Sequence, residues 1–80
     1  MAKILLVDDD VMFRDMLHRT LLRSGYNVTP ASDGLEAMRC LREDNFDLVI
    51  TDMLMPEKEG FETIEDIKRI YPEMKVIAMS

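Results

Sequence analysis

The sequence predicts an α/β fold in which short strands alternate with helices. Short apolar runs alternate with amphipathic stretches along the whole chain, with no repeat, low-complexity tract or linker between them. The run at residues 4–7 is continuously apolar, as is typical of a parallel strand that is buried on both faces. These observations indicate seven elements in the order (βα)3β, which is the alternation expected of a parallel sheet.

The first three elements follow from the amino-terminal third of the chain. Residues 4–7 form the first strand. Residues 11–24 repeat apolar side chains at helical spacing, with Asp10 as the expected N-cap and Gly25 as the expected stop. Residues 27–30 are too short and polar for a central strand, and Pro30 has no N–H to donate, so we expect an edge strand.

The remaining elements are marked by caps, turns and apolar runs. Ser32 or Asp33 can cap a second helix that ends at about Asp44, and Glu36 would complete a capping box. Residues 46–50 predict a third strand that leads to Asp52. Pro56 and Gly60 bracket a predicted loop. A third helix from residue 61 to residue 70 or 71 should end at Pro72, and residues 76–79 form the fourth strand.

Composition limits the classes of function. Eighty residues form one small domain whose core is barely sufficient for stability, so we expect marginal stability or self-association. A net charge of -6 argues against nucleic-acid binding and favours metal ions or basic protein surfaces. The single cysteine, Cys40, excludes an internal disulfide and is expected to act as a small buried hydrophobe. Without a signal-peptide or transmembrane pattern, we expect a soluble cytoplasmic protein with no membrane partner.

Carboxylates follow two of the predicted strands. Asp8, Asp9 and Asp10 come directly after the first strand, and Asp52 comes after the third. In an open parallel sheet the ligand site lies outside the carboxyl ends of the strands, where Ser80 also falls. Oxygen ligands of this kind suit Mg²⁺ beside phosphates. The alternative is that the acidic triplet is a solvated turn and that Ser80 is a frayed terminus.

The same carboxylates suggest a phosphoryl-transfer chemistry. If Asp52 is a nucleophile, Mg²⁺ held by Asp8 and Asp9 would offset the repulsion between its carboxylate and an anionic phosphodonor. The product would be an acyl phosphate on Asp52. His18 lies within the first helix, and we expect it to be a surface or partly buried side chain with no part in phosphotransfer.

The landmarks resemble a known family along the whole chain. Val7-Asp8-Asp9, Asp52-Met53-Leu54-Met55-Pro56 with Gly60, and Ser80 resemble the receiver domain of bacterial two-component response regulators. The resemblance implies a flavodoxin-like, doubly wound sheet with strand order 2-1-3-4. It further implies a regulatory domain, not an enzyme, in which Asp52 accepts a phosphoryl group from a sensor histidine kinase. Mg²⁺ would be held by Asp8, Asp9, Asp52 and the backbone carbonyl of Leu54, with Ser80 as the switch hydroxyl.

The chain also departs from that family pattern. The resemblance implies a family pattern of five βα units, so residues 1–80 are expected to be a receiver truncated after its fourth strand. The lysine at the end of a fifth strand would be absent, which predicts slow or uncoupled phosphorylation. An apolar fourth strand at an open edge predicts a homodimer, through antiparallel pairing of residues 76–79 or through exchange of elements.

Three classes of function remain open from the sequence. The first is a phospho-accepting signalling module. The second is an interaction or inhibitory fragment that competes for kinase docking through the first helix without taking up phosphate. The third is an engineered or excised structural piece of a receiver that has no cellular role of its own.

Overall fold

A computed structural model describes residues 2–52 and 59–79. For residues 59–61 it describes the backbone only. The strands are parallel and lie in the order 2-1-3-4, which confirms the predicted flavodoxin-like topology. The elements in chain order are β1 (Lys3–Val7), α1 (Val11–Arg23), β2 (Asn27–Ala31), α2 (Gly34–Glu43), β3 (Leu48–Asp52), α3 (Glu59–Ile70) and β4 (Lys75–Met79).

The core has two parts because successive side chains of a strand point to opposite faces of the sheet. On one face Leu5, Val7 and Val49 pack with α2 and α3 through Leu41 and Ile67. The other face is covered less completely. There the buried side chains are Ile4, Leu6 and Ile50, and α1 contributes the partly buried Leu17 and Leu21.

Both ends of α1 are fixed by local hydrogen bonds. Asp10 is the N-cap, and its carboxylate accepts a hydrogen bond from the Phe13 amide at 3.1 Å. At the other end Gly25 has a φ of +94°, and the Tyr26 amide donates back to the Leu21 carbonyl at 3.2 Å. This Schellman arrangement needs a left-handed residue, which glycine adopts without steric cost. The expected N-cap and stop are both present, although the helix ends one residue early, at Arg23.

The second helix begins at one of the two expected caps. Asp33 accepts a hydrogen bond from the Glu36 amide at 2.8 Å, so it is the N-cap. Ser32 instead donates through its hydroxyl to the Glu36 carboxylate at 3.1 Å. Cys40 lies half-buried on this helix against the core, and burial raises the pKa of its thiol.

Two predicted boundaries around the third strand were wrong. The strand runs over Leu48–Asp52, not over residues 46–50, because Thr51 and Asp52 pair with Ala78 and Met79 of β4. Gly60 was expected in the loop, but α3 begins at Glu59 and includes Gly60 in its first turn.

Lys3 joins the start of the sheet to the connection before β3. Its backbone amide donates to the Asp47 carboxylate at 2.7 Å, and its ammonium group forms an ion pair with Asp44. The same ammonium lies 5.4 Å from the centre of the Phe46 ring. The hydrogen bond to Lys3 lowers the pKa of Asp44. These contacts lie at the amino ends of the strands, opposite the end where β3 presents Asp52.

Candidate functional site

Three carboxylates converge where β1 and β3 end. The two strands are neighbours, and Val7 lies opposite Thr51 in their register. The next residue of each strand path, Asp8 and Asp52, therefore reaches the same edge of the sheet. One carboxylate oxygen from each of Asp8, Asp9 and Asp52 lies within 4.8 Å of the other two. The structure thus brings together three of the residues that the sequence marked as site candidates.

The three carboxylates differ in their surroundings. Asp8 is only 2% exposed, Asp52 is half-buried and Asp9 is exposed. Burial raises the pKa of Asp8, and the negative charges of Asp52, Asp9 and Asp10 raise it further. A hydrogen bond from the Asp10 amide to the Asp8 carboxylate, at 2.9 Å, acts in the opposite direction. The ionised form of Asp8 is therefore held at an energetic cost in the metal-free protein.

This arrangement fits a hard divalent cation. All three donors are carboxylate oxygens, which Mg²⁺ and Ca²⁺ prefer over the nitrogen and sulfur ligands of transition metals. A bound cation would also offset the two effects that raise the pKa of Asp8, because its positive charge stabilises the ionised carboxylate. Acidic groups within 4.8 Å of one another could share such an ion directly or through its water ligands.

Sequence reasoning missed a basic residue at this site. Arg14 was predicted only as a polar position on the first helix, yet its guanidinium Nη1 donates to the backbone carbonyl of Asp8 at 2.7 Å. A signal was present in the sequence. Arg14 lies in the first turn of α1, where the helix dipole disfavours a cation, four positions after the last residue of the acidic triplet.

Other predicted site residues lie apart from this cluster or outside the described ranges. Leu54, Pro56 and Ser80 are outside residues 2–52 and 59–79, so the predicted carbonyl ligand and switch hydroxyl are not located. Asp10 caps α1, and His18 is half-buried on that helix. Over the part of the chain that the structure describes, no helix has the length and apolar character needed to cross a membrane.

Comparisons with known proteins agree on one family. The model of the family described as "Response regulator receiver domain" matches residues 4–80. The transcriptional regulatory protein ZraR of Klebsiella oxytoca is 42% identical over 77 residues, which are 96% of this chain and 17% of ZraR. The chain therefore spans less than one fifth of the length of this curated relative.

Solved structures give the same result. The response regulator TrrA of Thermotoga maritima, solved in complex with Mg²⁺-BeF, superposes with a TM-score of 0.90 and 36% identity, over 98% of this chain and 68% of TrrA. Chemotaxis protein CheY4 of Vibrio cholerae has a TM-score of 0.91 and 36% identity, over 98% of this chain and 67% of CheY4. TrrA in complex with the histidine kinase ThkA gives a TM-score of 0.89 at 36% identity, over 98% of this chain and 67% of the matched chain. The protein belongs to the response regulator receiver domain family, whose members are regulatory modules of two-component signalling.

Proposed function

We propose that this chain is a phospho-accepting module in which Asp52 takes up a phosphoryl group with the help of Mg²⁺. The observation that carries the proposal is the convergence of Asp8, Asp9 and Asp52 within 4.8 Å at the carboxyl ends of adjacent strands. The crystal structure of the similar protein TrrA in complex with Mg²⁺-BeF supports this proposal. In this proposal Asp8, Asp9, Asp52 and the Leu54 carbonyl hold the metal, and Ser80 bonds the phosphoryl group.

The proposed reaction uses Asp52 as the nucleophile. One of its carboxylate oxygens attacks the phosphorus of the donor and forms an oxygen–phosphorus bond, while the bond from phosphorus to the leaving group breaks. The leaving group keeps that electron pair, and Asp52 becomes an acyl phosphate. Asp8 and Asp9 would hold the metal, which would supply positive charge to offset the negative charge of the phosphodonor. Asp52 suits the nucleophilic role because it is half-buried, so its carboxylate remains accessible to a donor.

We propose a sensor histidine kinase as the partner that supplies the phosphoryl group. The solved complex between TrrA and the histidine kinase ThkA supports this assignment, because TrrA is 36% identical to this chain. A net charge of -6 gives no support to a nucleic-acid partner for this chain. We place the reaction in the cytoplasm, which agrees with a single cysteine that has no second thiol in the sequence to pair with.

Intact mass measurement tests the proposed function. The native chain is incubated with acetyl phosphate and Mg²⁺, and a parallel sample contains a chelator in place of the metal. We expect one added phosphoryl group in the first sample and none in the second. A folded chain that gains no mass in either sample would contradict the proposal and would favour an interaction or structural role.

For the eighty-residue chain on its own we also propose a homodimer that forms at β4. Among the described residues β4 pairs with β3 alone, so its other edge presents backbone donors and acceptors. Ile77 in the middle of this strand is 50% exposed, on the face where α1 leaves the sheet less completely covered. Pairing of two β4 edges, or exchange of elements, would cover both features.

We expect an Ile77→Lys chain to sediment as a monomer under conditions in which the native chain is a dimer. A charged side chain at the middle of an open strand edge disfavours pairing. Leu35→Lys is the matched control, because Leu35 is an 83% exposed aliphatic side chain on α2, away from the sheet. A monomeric native chain, or an equally dimeric Ile77→Lys chain, would contradict the proposed interface.

A further inference from the structure

We propose that Arg14 is a positioning residue for the acidic site: it fixes the turn that carries Asp8 and Asp9, and so the geometry of the metal ligands. The inference deepens the proposed function and rests on it. It assigns a role to a side chain that makes no contact with substrate or metal in the proposed reaction.

Asp8 is held at three separate atoms. Its backbone amide donates to the Ala31 carbonyl of β2 at 3.1 Å, and its carboxylate accepts from the Asp10 amide at 2.9 Å. Arg14 supplies the third contact, to the Asp8 carbonyl, at 2.7 Å. The first contact extends the sheet and the second lies within the turn. Arg14 alone among these partners brings a side chain from α1 to the turn.

Planarity of the peptide bond carries the effect of Arg14 to Asp9. The carbonyl oxygen of Asp8 and the Cα atom of Asp9 lie in one rigid peptide plane. A donor that holds the oxygen therefore limits rotation of this plane and fixes the starting point of the exposed Asp9 side chain. Asp9 has no comparable burial to restrain it. The contact from Arg14 thus aligns a carboxylate that it does not touch.

The position of Arg14 favours a specific role over a general solubilising one. A cation in the first turn of a helix opposes the helix dipole, so a surface arginine would be better placed at the other end. Its guanidinium is partly buried at the carbonyl instead of extended into solvent. A planar guanidinium with several donors can hold a carbonyl in a defined direction, whereas an ammonium group on a flexible stem does so less well.

Mg²⁺ affinity distinguishes positioning from a simple charge effect. If Arg14 only adds positive charge near the carboxylates, its removal should tighten Mg²⁺ binding, because the repulsion between the guanidinium and the cation is lost. If Arg14 positions the turn, its removal should weaken binding. Partners that orient metal ligands commonly contribute 10- to 100-fold in affinity, so we expect Arg14→Gln to bind Mg²⁺ about 10-fold more weakly.

The experiment measures Mg²⁺ affinity by calorimetric titration of the full chain. The variants are Arg14→Gln, Arg14→Lys and, as the matched control, Arg19→Gln. Arg19 lies on the same helix and also donates to a backbone carbonyl, that of Asp15, but away from the site. We expect the affinity order to be native and Arg19→Gln first, then Arg14→Lys, then Arg14→Gln. Hydrogen exchange of the Asp10 backbone amide in the metal-free protein should be faster in Arg14→Gln. This amide donates to the Asp8 carboxylate, which a less ordered turn would hold less firmly.

The outcomes distinguish a failure of the role of Arg14 from a failure of the proposed function. If the native chain binds Mg²⁺ and Arg14→Gln binds it as tightly or more tightly, the positioning role is overturned while the proposed function stands. If the folded native chain does not bind Mg²⁺, the proposed function fails, and the role of Arg14 fails with it. Weaker binding by Arg14→Gln together with native-like binding by Arg19→Gln would support the role. Equal weakening in both variants would reveal a general effect on α1 and would overturn it.

Discussion

The Asp52→Asn chain is expected to gain no phosphoryl group under conditions in which the native chain gains one. The substitution keeps the size of the side chain but replaces the nucleophilic carboxylate by an amide, which forms no stable acyl phosphate. The loss should be complete in intact mass spectra recorded with Mg²⁺ and acetyl phosphate. It is the largest effect on activity that the proposed function predicts.

A matched control separates this effect from a general loss of one acidic group. Asp47→Asn makes the same chemical change at the opposite end of the sheet, where the Asp47 carboxylate accepts a hydrogen bond from the Lys3 amide at 2.7 Å. An asparagine oxygen can still accept that bond, so we expect native uptake. Phosphoryl uptake by Asp52→Asn would show that another residue is the acceptor. Equal losses in both variants would point to a fold defect, which circular dichroism would detect.

Asp8→Asn should have two effects of opposite sign. Burial and three neighbouring negative charges raise the pKa of Asp8, so its ionised form destabilises the metal-free fold near neutral pH. An uncharged asparagine removes this penalty, and its oxygen can still accept from the Asp10 amide. We expect the free energy of unfolding at neutral pH to rise by on the order of 1 kcal/mol. The same change should weaken Mg²⁺ binding by at least roughly 10-fold.

The pH dependence gives this prediction a second readout. Because the pKa of Asp8 is higher in the folded chain than its ordinary value of 3.8, the folded state binds more protons than the unfolded state between these two pKa values. The contribution of Asp8 to stability therefore falls as pH rises through that window and reaches its full cost above the folded pKa. The stability advantage of Asp8→Asn over the native chain should appear across this window and stay constant at higher pH.

Asp15→Asn provides a charge-matched control on α1, where its side chain is exposed and is not a member of the cluster. We expect its unfolding curve, measured in urea without metal, to stay close to that of the native chain. A less stable Asp8→Asn chain would contradict the prediction and would mean that the carboxylate is needed for folding. Unchanged Mg²⁺ affinity would remove Asp8 from the proposed ligand set.

Much of the fold could be predicted because the local signals agree with the final topology. The continuous apolar run of β1 fits a buried central strand, and the proline-containing β2 fits an edge of the sheet. Gly25, in a left-handed conformation, ends the helix between them. The start and end of β3 were less predictable. Phe46 is apolar but precedes the strand, whereas the polar Thr51 and Asp52 belong to it, since the register with β4 decides pairing.

The candidate site could be predicted as a set of acids but not as an environment. Acids that follow two apolar runs indicate a shared edge, and the resemblance to receivers gives them roles. The sequence does not show that Asp8 is buried while its neighbour Asp9 is exposed. Nor does it show the bond from Arg14 to Asp8, which depends on how α1 folds back against the turn. Burial and side-chain reach arise from tertiary packing, which a local pattern does not encode.

The sparse coverage of one sheet face by α1 links helix docking to occupancy of the site. No residue of α1 is fully buried, so the helix itself contributes little apolar burial, but its undocking would uncover Ile4, Leu6 and Ile50 on the sheet. Arg14 on this helix bonds to Asp8, and Asp10 caps the helix from the acidic turn. A cation that prefers the ordered turn must then also favour the docked helix, by the reciprocity of linked equilibria. In the eighty-residue chain the site would thus report on the packing of α1, and α1 on the contents of the site.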